Sequence, residues 1–328
     1  MTNQTLRWGL LSTARINQAL IGPLRSSKRN TLTGVASRSQ ENADVYAREN
    51  SIEKAYGSYE AMLADPEIDV IYNPLPNHMH AEWTIKALEA GKHVLVEKPI
   101  ALTVAEVEAM DAAAQKNGCV VAEAFMYRHH PQTIKVIELV QSGKLGEIKY
   151  IRGLFNAKFT RDPNYRFDPA QGGGALWDLG CYPLSFTRAV LGAEPTDVSG
   201  WQMTGKTGVD ESFAAQLRFP GDVFAHFACN FITPFHAVME ITGTEARLTV
   251  PTPFKPGEDE HILLTHDNGK TETIRMDGIS LYSGEVEDMA DAVLLGKAPR
   301  VSMAFSRGNV AAILALFESA RTGKVVTI

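Results

Sequence analysis

Lys98, Asp178 and Tyr182 are the side chains that type and spacing place best for chemistry. Asp178 and Tyr182 stand four residues apart in the run Gly172-Gly173-Gly174-Ala175-Leu176-Trp177-Asp178-Leu179-Gly180-Cys181-Tyr182, a spacing that puts two helical side chains on one face. Lys98 follows the apolar run His93-Val94-Leu95-Val96 and its Glu97, and so leaves the carboxyl end of a strand, where an α/β sheet holds its ligand. A phenol with a pKa of about 10 is a weak base near neutrality, and a neighbouring ammonium lowers it. A tyrosine, a lysine and a carboxylate could therefore move a proton at a substrate hydroxyl and stabilise the oxygen left behind. Each residue also has an ordinary reading: Lys98 as a surface charge, Asp178 as the acid of a helix start, Tyr182 as a core aromatic.

A dinucleotide would place its phosphates at the first strand–helix turn, which reads Leu11-Ser12-Thr13-Ala14-Arg15-Ile16-Asn17. The glycine fingerprint would put glycine at positions 12, 14 and 17, where this chain has Ser, Ala and Asn. Ser12 and Ala14 are small enough for a close backbone approach, so Ser12, Thr13, Ala14, Arg15 and Ile16 are candidate cofactor contacts. A plain tight turn in some other α/β protein explains them equally well. Past the second strand, Ala36-Ser37-Arg38-Ser39 offers no acid for ribose hydroxyls. Ser37 and Arg38 suit a 2′-phosphate instead, which predicts NADP, with NAD bound more weakly; a solvated loop arginine is the alternative. The imidazoles of His78, His80, His129 and His130 raise a rival, a metal-dependent hydrolase. Adjacent histidines on one backbone do not readily share an ion, and no cysteine or aspartate stands at matching spacing, so no metal site is assigned.

The elements that must position these groups fall into two patterns. Short, continuously apolar runs at 7–11, 32–36, 69–72, 93–96 and 119–122 alternate with helical stretches. One helix runs from Thr103 to Lys116, opened by Thr103 and Glu106 as a capping box, and another from Met79 to Ala90, ended by Gly91. This half predicts a doubly wound parallel sheet, a Rossmann domain over residues 1–123. After about residue 145 alternation takes over, with Phe213, Ala215, Leu217 and Phe219 on one face and Ala225, Phe227, Cys229 and Phe231 on another, joined by a hairpin at Pro220-Gly221-Asp222. Further strands are expected at 237–242, 247–250, 261–265 and 271–276. Residues 124–328 are thus expected to form an α+β domain: a mostly antiparallel open sheet with helices 132–142, 183–191, 285–295 and 304–322 on one face. Its other face carries apolar residues, which predicts a homodimer or homotetramer through the sheet.

Composition narrows the class. Of 328 residues, 45% are hydrophobic and 21% charged, as in a folded two-domain chain and unlike a disordered one. A net charge of −6 gives no basic surplus for nucleic acid. No segment approaches the roughly 18 to 20 apolar residues of a membrane span. No leader pattern is seen at the N-terminus, and Cys119, Cys181 and Cys229 form no disulfide framework, so a cytoplasmic location is expected.

Four segments in this order, Tyr72-Asn73-Pro74-Leu75-Pro76-Asn77-His78-Met79-His80, Glu97-Lys98-Pro99, Glu123-Ala124-Phe125-Met126-Tyr127-Arg128 and the Gly172–Tyr182 run, resemble the Gfo/Idh/MocA oxidoreductase family across essentially the whole chain. Tyr182, where many members have histidine, is similar to the dihydrodiol and xylose dehydrogenase branch. The resemblance implies an NAD(P)-dependent dehydrogenase acting on CH–OH groups of a sugar or polyol. Lys98 would reach the reacting oxygen, Asp178 and Tyr182 would complete the site, and Pro74, Leu75, Asn77, His80, Glu97 and Arg128 would line the cofactor. Tyr165 and Arg166 stand where the family often has Trp-Arg near the nicotinamide. The resemblance also implies a cis Lys98–Pro99 bond. A member that kept the fold and lost the chemistry, acting as a binding protein, is the third reading.

Overall fold

The computed structural model describes residues 5–161 and 164–328. The chain divides into two compact units, one of Met1–Met126 with Tyr282–Arg307 and one of Tyr127–Leu281 with Gly308–Ile328.

The first unit alternates strand and helix: β1 (Leu6–Leu11), α1 (Asn17–Ser26), β2 (Asn30–Ala36), α2 (Gln40–Glu49), β3 (Lys54–Tyr56), α3 (Tyr59–Leu63), β4 (Val70–Asn73), α4 (His80–Glu89), β5 (His93–Glu97), α5 (Val104–Asn117) and β6 (Val121–Ala124). All pairings are parallel in the order β3-β2-β1-β4-β5-β6, the doubly wound sheet expected from continuous apolar runs. The α5 capping box forms as read, with the Thr103 hydroxyl accepting the Glu106 N–H and the Glu106 carboxylate accepting the Thr103 N–H. The last strand starts two residues later than the apolar run suggests, at Val121, and β3 is a three-residue, half-buried edge strand with no apolar signature.

The second unit contains α6 (Pro131–Gln141), β7 (Ile148–Asn156), α7 (Cys181–Leu191) and the strands β8 (Asp197–Thr204), β9 (Asp210–Phe219), β10 (Val223–Asn230), β11 (His236–Gly243), β12 (Ala246–Val250), β13 (Asp259–His266) and β14 (Thr271–Asp277). After α8 (Ser283–Leu295) and α9 (Met303–Thr322), the short β15 (Val326–Thr327) adds an edge. The nine strands lie in the order β14-β13-β12-β11-β7-β10-β9-β8-β15, antiparallel except where β7 meets β10. The β9–β10 hairpin pairs Phe219 with Val223, and Gly221 (φ 78°) supplies the left-handed backbone it needs. The predicted inner face is buried from Phe213 to Phe219 and from Ala225 to Cys229.

Two expectations change. The helix over 285–295 was expected on the antiparallel sheet; α8 instead packs on α1 and β2 of the first unit, with Val286, Met289 and Ala290 in the core around Trp8 and Tyr72. Arg29 fixes it there by pairing with Glu287 and Asp291. The segment holding Asp178 is not a plain α-helix either. Leu176–Gly180 forms a π-helical turn that runs into α7 at Cys181, so the four-residue spacing to Tyr182 crosses from wide to regular winding.

Candidate active site

In the first unit the candidate residues sit where the parallel strands end. After β1, Ser12 takes a φ of 117°, a backbone that non-glycine residues rarely hold. Three contacts stabilise it. The Ser12 N–H donates to Leu10 O at 3.1 Å, its hydroxyl accepts the Ala14 N–H at 3.2 Å, and the Asn17 side-chain amide donates to Ser12 O at 2.7 Å. Asn17, at the third fingerprint position, is buried. The turn therefore keeps its shape by side-chain bonds in place of glycines. Ile16 caps α1 with no side-chain hydrogen bond; instead the Asn17, Gln18 and Ala19 N–H groups donate to Ala14 O, Arg15 O and Ile16 O at 3.1, 3.3 and 2.9 Å, so the helix opens through tight three-residue turns. Thr13 and Ala14 are half-buried and Arg15 is exposed. Replacing Asn17 with alanine should loosen this turn and weaken dinucleotide binding about fivefold or more, the worth of one buried hydrogen bond, with the hydride-transfer residues untouched. Equilibrium titration of the cofactor checks it.

Past β2, the buried Ser37 fixes its backbone by donating its N–H to Tyr56 O at 2.9 Å, and Arg38 projects exposed beside it. Past β4, Asn73 bonds His80 O and Thr84 and accepts the Leu75 N–H, which holds the Pro74–Leu75 turn. Pro74, Leu75 and Asn77 are buried. His80, expected to face the cofactor, is buried with one ring nitrogen 2.6 Å from Leu75 O and the other 2.8 Å from Pro99 O. Burial pushes its imidazole down to about 4, against the two carbonyls, which favour the charged ring. It ties the β4 turn to the Lys98–Pro99 bond, which is cis. Glu97 accepts the Tyr72 hydroxyl and the Lys98 N–H, and Lys98 itself is half-buried. Close by, Glu285 of α8 is buried with no hydrogen-bond partner on either carboxylate oxygen. Burial, with Glu97 adding like charge, raises its pKa well above the carboxylate range. Neither Tyr72 nor Glu285 was flagged by sequence: a tyrosine inside an apolar strand and an acid in a helix's first turn are both commonplace.

The second unit holds the other residues. Arg166 lies in the short turn Tyr165–Phe167, opened by Asn164. Its Nε donates to Asp178 Oδ2 at 2.6 Å, and its guanidinium lies over the rings of Phe159 (4.5 Å) and Tyr165 (4.8 Å). Tyr165, in the tryptophan position, still gives Arg166 an aromatic face. Asp178 keeps its strong partner although Arg166 is largely buried; there the opposing carboxylate outweighs desolvation and raises the guanidinium pKa. Tyr182 is 4% exposed, and its ring packs against Tyr127, Phe155 and Phe254 at centroid distances of 5.7, 5.2 and 5.5 Å. Two close approaches seat this segment on the sheet: a Cβ at Gly153 would meet Met239 and Pro183, and one at Gly180 would meet Leu176, Cys229 and Phe227. Arg128 is buried. His130 caps α6 by accepting the Gln132 N–H at 3.1 Å, with its other nitrogen 3.0 Å from Gly257 O. Among the described residues, no three His, Cys, Asp or Glu side chains converge as a metal would require.

Residues 6–125 match the family described as oxidoreductase family, NAD-binding Rossmann fold, and residues 133–249 match the GFO/IDH/MocA C-terminal domain. A D-xylose 1-dehydrogenase (NADP(+)) of Haloferax volcanii is 34% identical over 98% of this chain and 100% of its own. The chain belongs to the Gfo/Idh/MocA oxidoreductase family. A trans-1,2-dihydrobenzene-1,2-diol dehydrogenase of Macaca fuscata fuscata is 32% identical over 76% of this chain and 75% of its own, which supports the branch read from Tyr182. Among solved structures, the 3-ketoreductase KijD10 of Actinomadura kijaniata, in complex with NADP and TDP-benzene, superposes with a TM-score of 0.90 at 27% identity, covering 96% of this chain and 98% of that one. An aldose-aldose oxidoreductase of Caulobacter crescentus shares the fold, with a TM-score of 0.92 at 24% identity over 99% of this chain and 100% of that one. This Gfo/Idh/MocA chain is therefore an oxidoreductase with a dinucleotide-binding Rossmann domain and sugar-related relatives.

Proposed function

We propose that this chain is an NADP-dependent dehydrogenase that oxidises a hydroxyl-bearing carbon of a sugar or related polyol. The observation that carries the reading is the Gly172–Tyr182 segment, where a buried aspartate is oriented by Arg166 and continues into a helix bearing a buried tyrosine. The relatives supply the substrate class.

In this proposal the β1 turn from Ser12 to Ile16 holds the pyrophosphate at the positive end of α1, and Ser37 and Arg38 hold the 2′-phosphate. Pro74, Leu75, Asn77 and Glu97 in the first unit, and Arg128, Tyr165 and Arg166 in the second, are assigned to the nicotinamide half. His80 acts through the two carbonyls it holds. Bound NADP supplies the hydride acceptor. Tyr182 takes the hydroxyl proton, Lys98 stabilises the alkoxide that forms, and Asp178 orients the substrate hydroxyl. A panel of aldoses and polyols with NADP, followed by the absorbance of reduced nicotinamide, tests the reading: turnover with at least one is expected, and none with any would overturn it.

The open face of the nine-stranded sheet supports association of copies of this chain. Trp201 (62% exposed), Met203 and Phe224 (51%) stand on it, and a groove of about 600 Å³ runs past Tyr150, Gln216, Phe224, His226 and Val325. We expect a homodimer or homotetramer by light scattering at micromolar concentration, and dissociation when Phe224 or Trp201 is replaced by glutamate. A wild-type monomer would rule it out. No described helix is long and apolar enough to cross a membrane. Cys119, Cys181 and Cys229 are thiols and not disulfides, which suits a reducing compartment, and the proposed location is the cytoplasm.

A further inference from the structure

Asp210 opens β9, is 4% exposed, and has no part in the chemistry just proposed. Its Oδ2 accepts the Leu176 N–H at 2.7 Å, and the Ala175 N–H also points to it. A Cβ built on Gly174, whose φ is 127°, would lie 2.2 Å from its Oδ1. The carboxylate thus fills the concave start of the helical segment, in space that only glycine leaves. An acid there satisfies amides that have no partner inside the helix and complements the peptide dipoles.

The opposite side of the glycine run is held from Arg166 and Asp168. Gly174 donates its N–H to Arg166 O at 2.9 Å, and Gly173 donates to Asp168 O at 2.9 Å. The Asp178 N–H closes back on Gly174 O at 3.1 Å while its side chain takes the Arg166 Nε. Residues 172–178 are therefore clamped between the Tyr165–Asp168 turn and one side chain of β9. Leu176, whose N–H Asp210 holds, also accepts the Cys181 N–H across the π-helical turn, so losing that anchor would let the sparse wide winding relax toward regular α winding and turn Asp178 relative to Tyr182.

We propose that Asp210 is a positioning residue of the candidate active site, holding the winding of Leu176–Gly180 and with it the relation of Asp178 to Tyr182. The inference rests on the roles proposed for Asp178 and Tyr182. It also explains the last glycine of the run as room for a carboxylate.

The test compares full-length wild type with Asp210→Ala, Asp210→Ser and Asp210→Asn. Asparagine keeps an acceptor at the Leu176 amide; serine and alanine do not reach it. Amide hydrogen exchange over 172–182 is expected to speed up about tenfold or more in the alanine and serine variants and to stay near wild type in the asparagine variant. With the sugar that the panel identifies, turnover is expected to fall about a hundredfold in alanine and serine, the cost of a misplacement near 1 Å, and to stay within about tenfold of wild type in asparagine. NADP affinity should be unchanged in all three. Serine carries the comparison if the alanine variant does not fold. Unchanged protection of residues 172–182 in alanine or serine would overturn the proposal, as would NADP affinity falling in step with turnover. A wild type inactive on every sugar would count against the dehydrogenase reading alone, because the exchange measurement still decides the role of Asp210.

Discussion

Tyr182→Phe and Lys98→Met are each expected to lower turnover by about a hundred- to ten-thousandfold while NADP still binds, since each removes a group needed at the reacting oxygen. Tyr182→Phe is the cleaner experiment. The ring sits among Tyr127, Phe155 and Phe254, and phenylalanine keeps that packing, so the melting temperature should hardly move. Lys98→Met keeps the apolar stem and removes the charge. Steady-state turnover, with cofactor titration and thermal unfolding on the same samples, separates lost chemistry from lost folding. Near-full activity in Tyr182→Phe would require the proton acceptor to be reassigned, with Lys98 next in line.

The second large effect concerns the choice between NADP and NAD. Arg38 is exposed at the end of β2, where it can meet a 2′-phosphate with charge-assisted bonds, and no acid stands at positions 35 to 39 to prefer a free ribose hydroxyl. Charged hydrogen bonds contribute roughly 1.5 to 3 kcal/mol net, so Arg38→Ala should weaken NADP about ten- to a hundredfold and leave NAD nearly unchanged. Ser37→Asp should reverse the preference by repelling the phosphate and offering the ribose an acceptor. The Ser37 backbone is tied to Tyr56 O, which keeps the substituted side chain where the serine was. Titrating both dinucleotides into wild type and Arg38→Ala decides the matter: an unchanged affinity ratio would mean Arg38 is only a solvated loop residue.

What the sequence revealed follows from how local each signal is. The parallel strands were legible because a strand buried on both faces is apolar throughout, and α5 because its capping box lies within four residues. β7, at the centre of the large sheet, left little trace: Lys149 and Arg152 are exposed, and the glycine at 153 interrupts the apolar mark of its inward neighbours Ile151 and Phe155. The amphipathic pattern of α8 shows that one face is buried but not against which sheet; the partners that decide it, Arg29 with Glu287 and Asp291, lie more than 250 residues apart. At the candidate site, Lys98, Asp178 and Tyr182 stood out by motif. Asn17 looked like a broken fingerprint until its bond to Ser12 O explained the turn, and Asp210 was one of two adjacent acids with no local mark, its Leu176 amide partner lying 34 residues away.

The membership of α8 in the first unit bears on the order in which the protein can be made. The ribosome releases β1 to β6 early, yet the helix that covers α1 and β2 is encoded after the entire nine-stranded sheet except its last edge strand. Until it emerges, the strip that receives Val286, Met289 and Ala290 faces water or whatever holds nascent chains, and Arg29 waits for both of its acids. A fragment cut at Met126 would carry that strip bare, so the dinucleotide domain is not separable at its first boundary. A workable minimal version would have to splice residues 282–307 back onto it, replacing the second unit with a short linker.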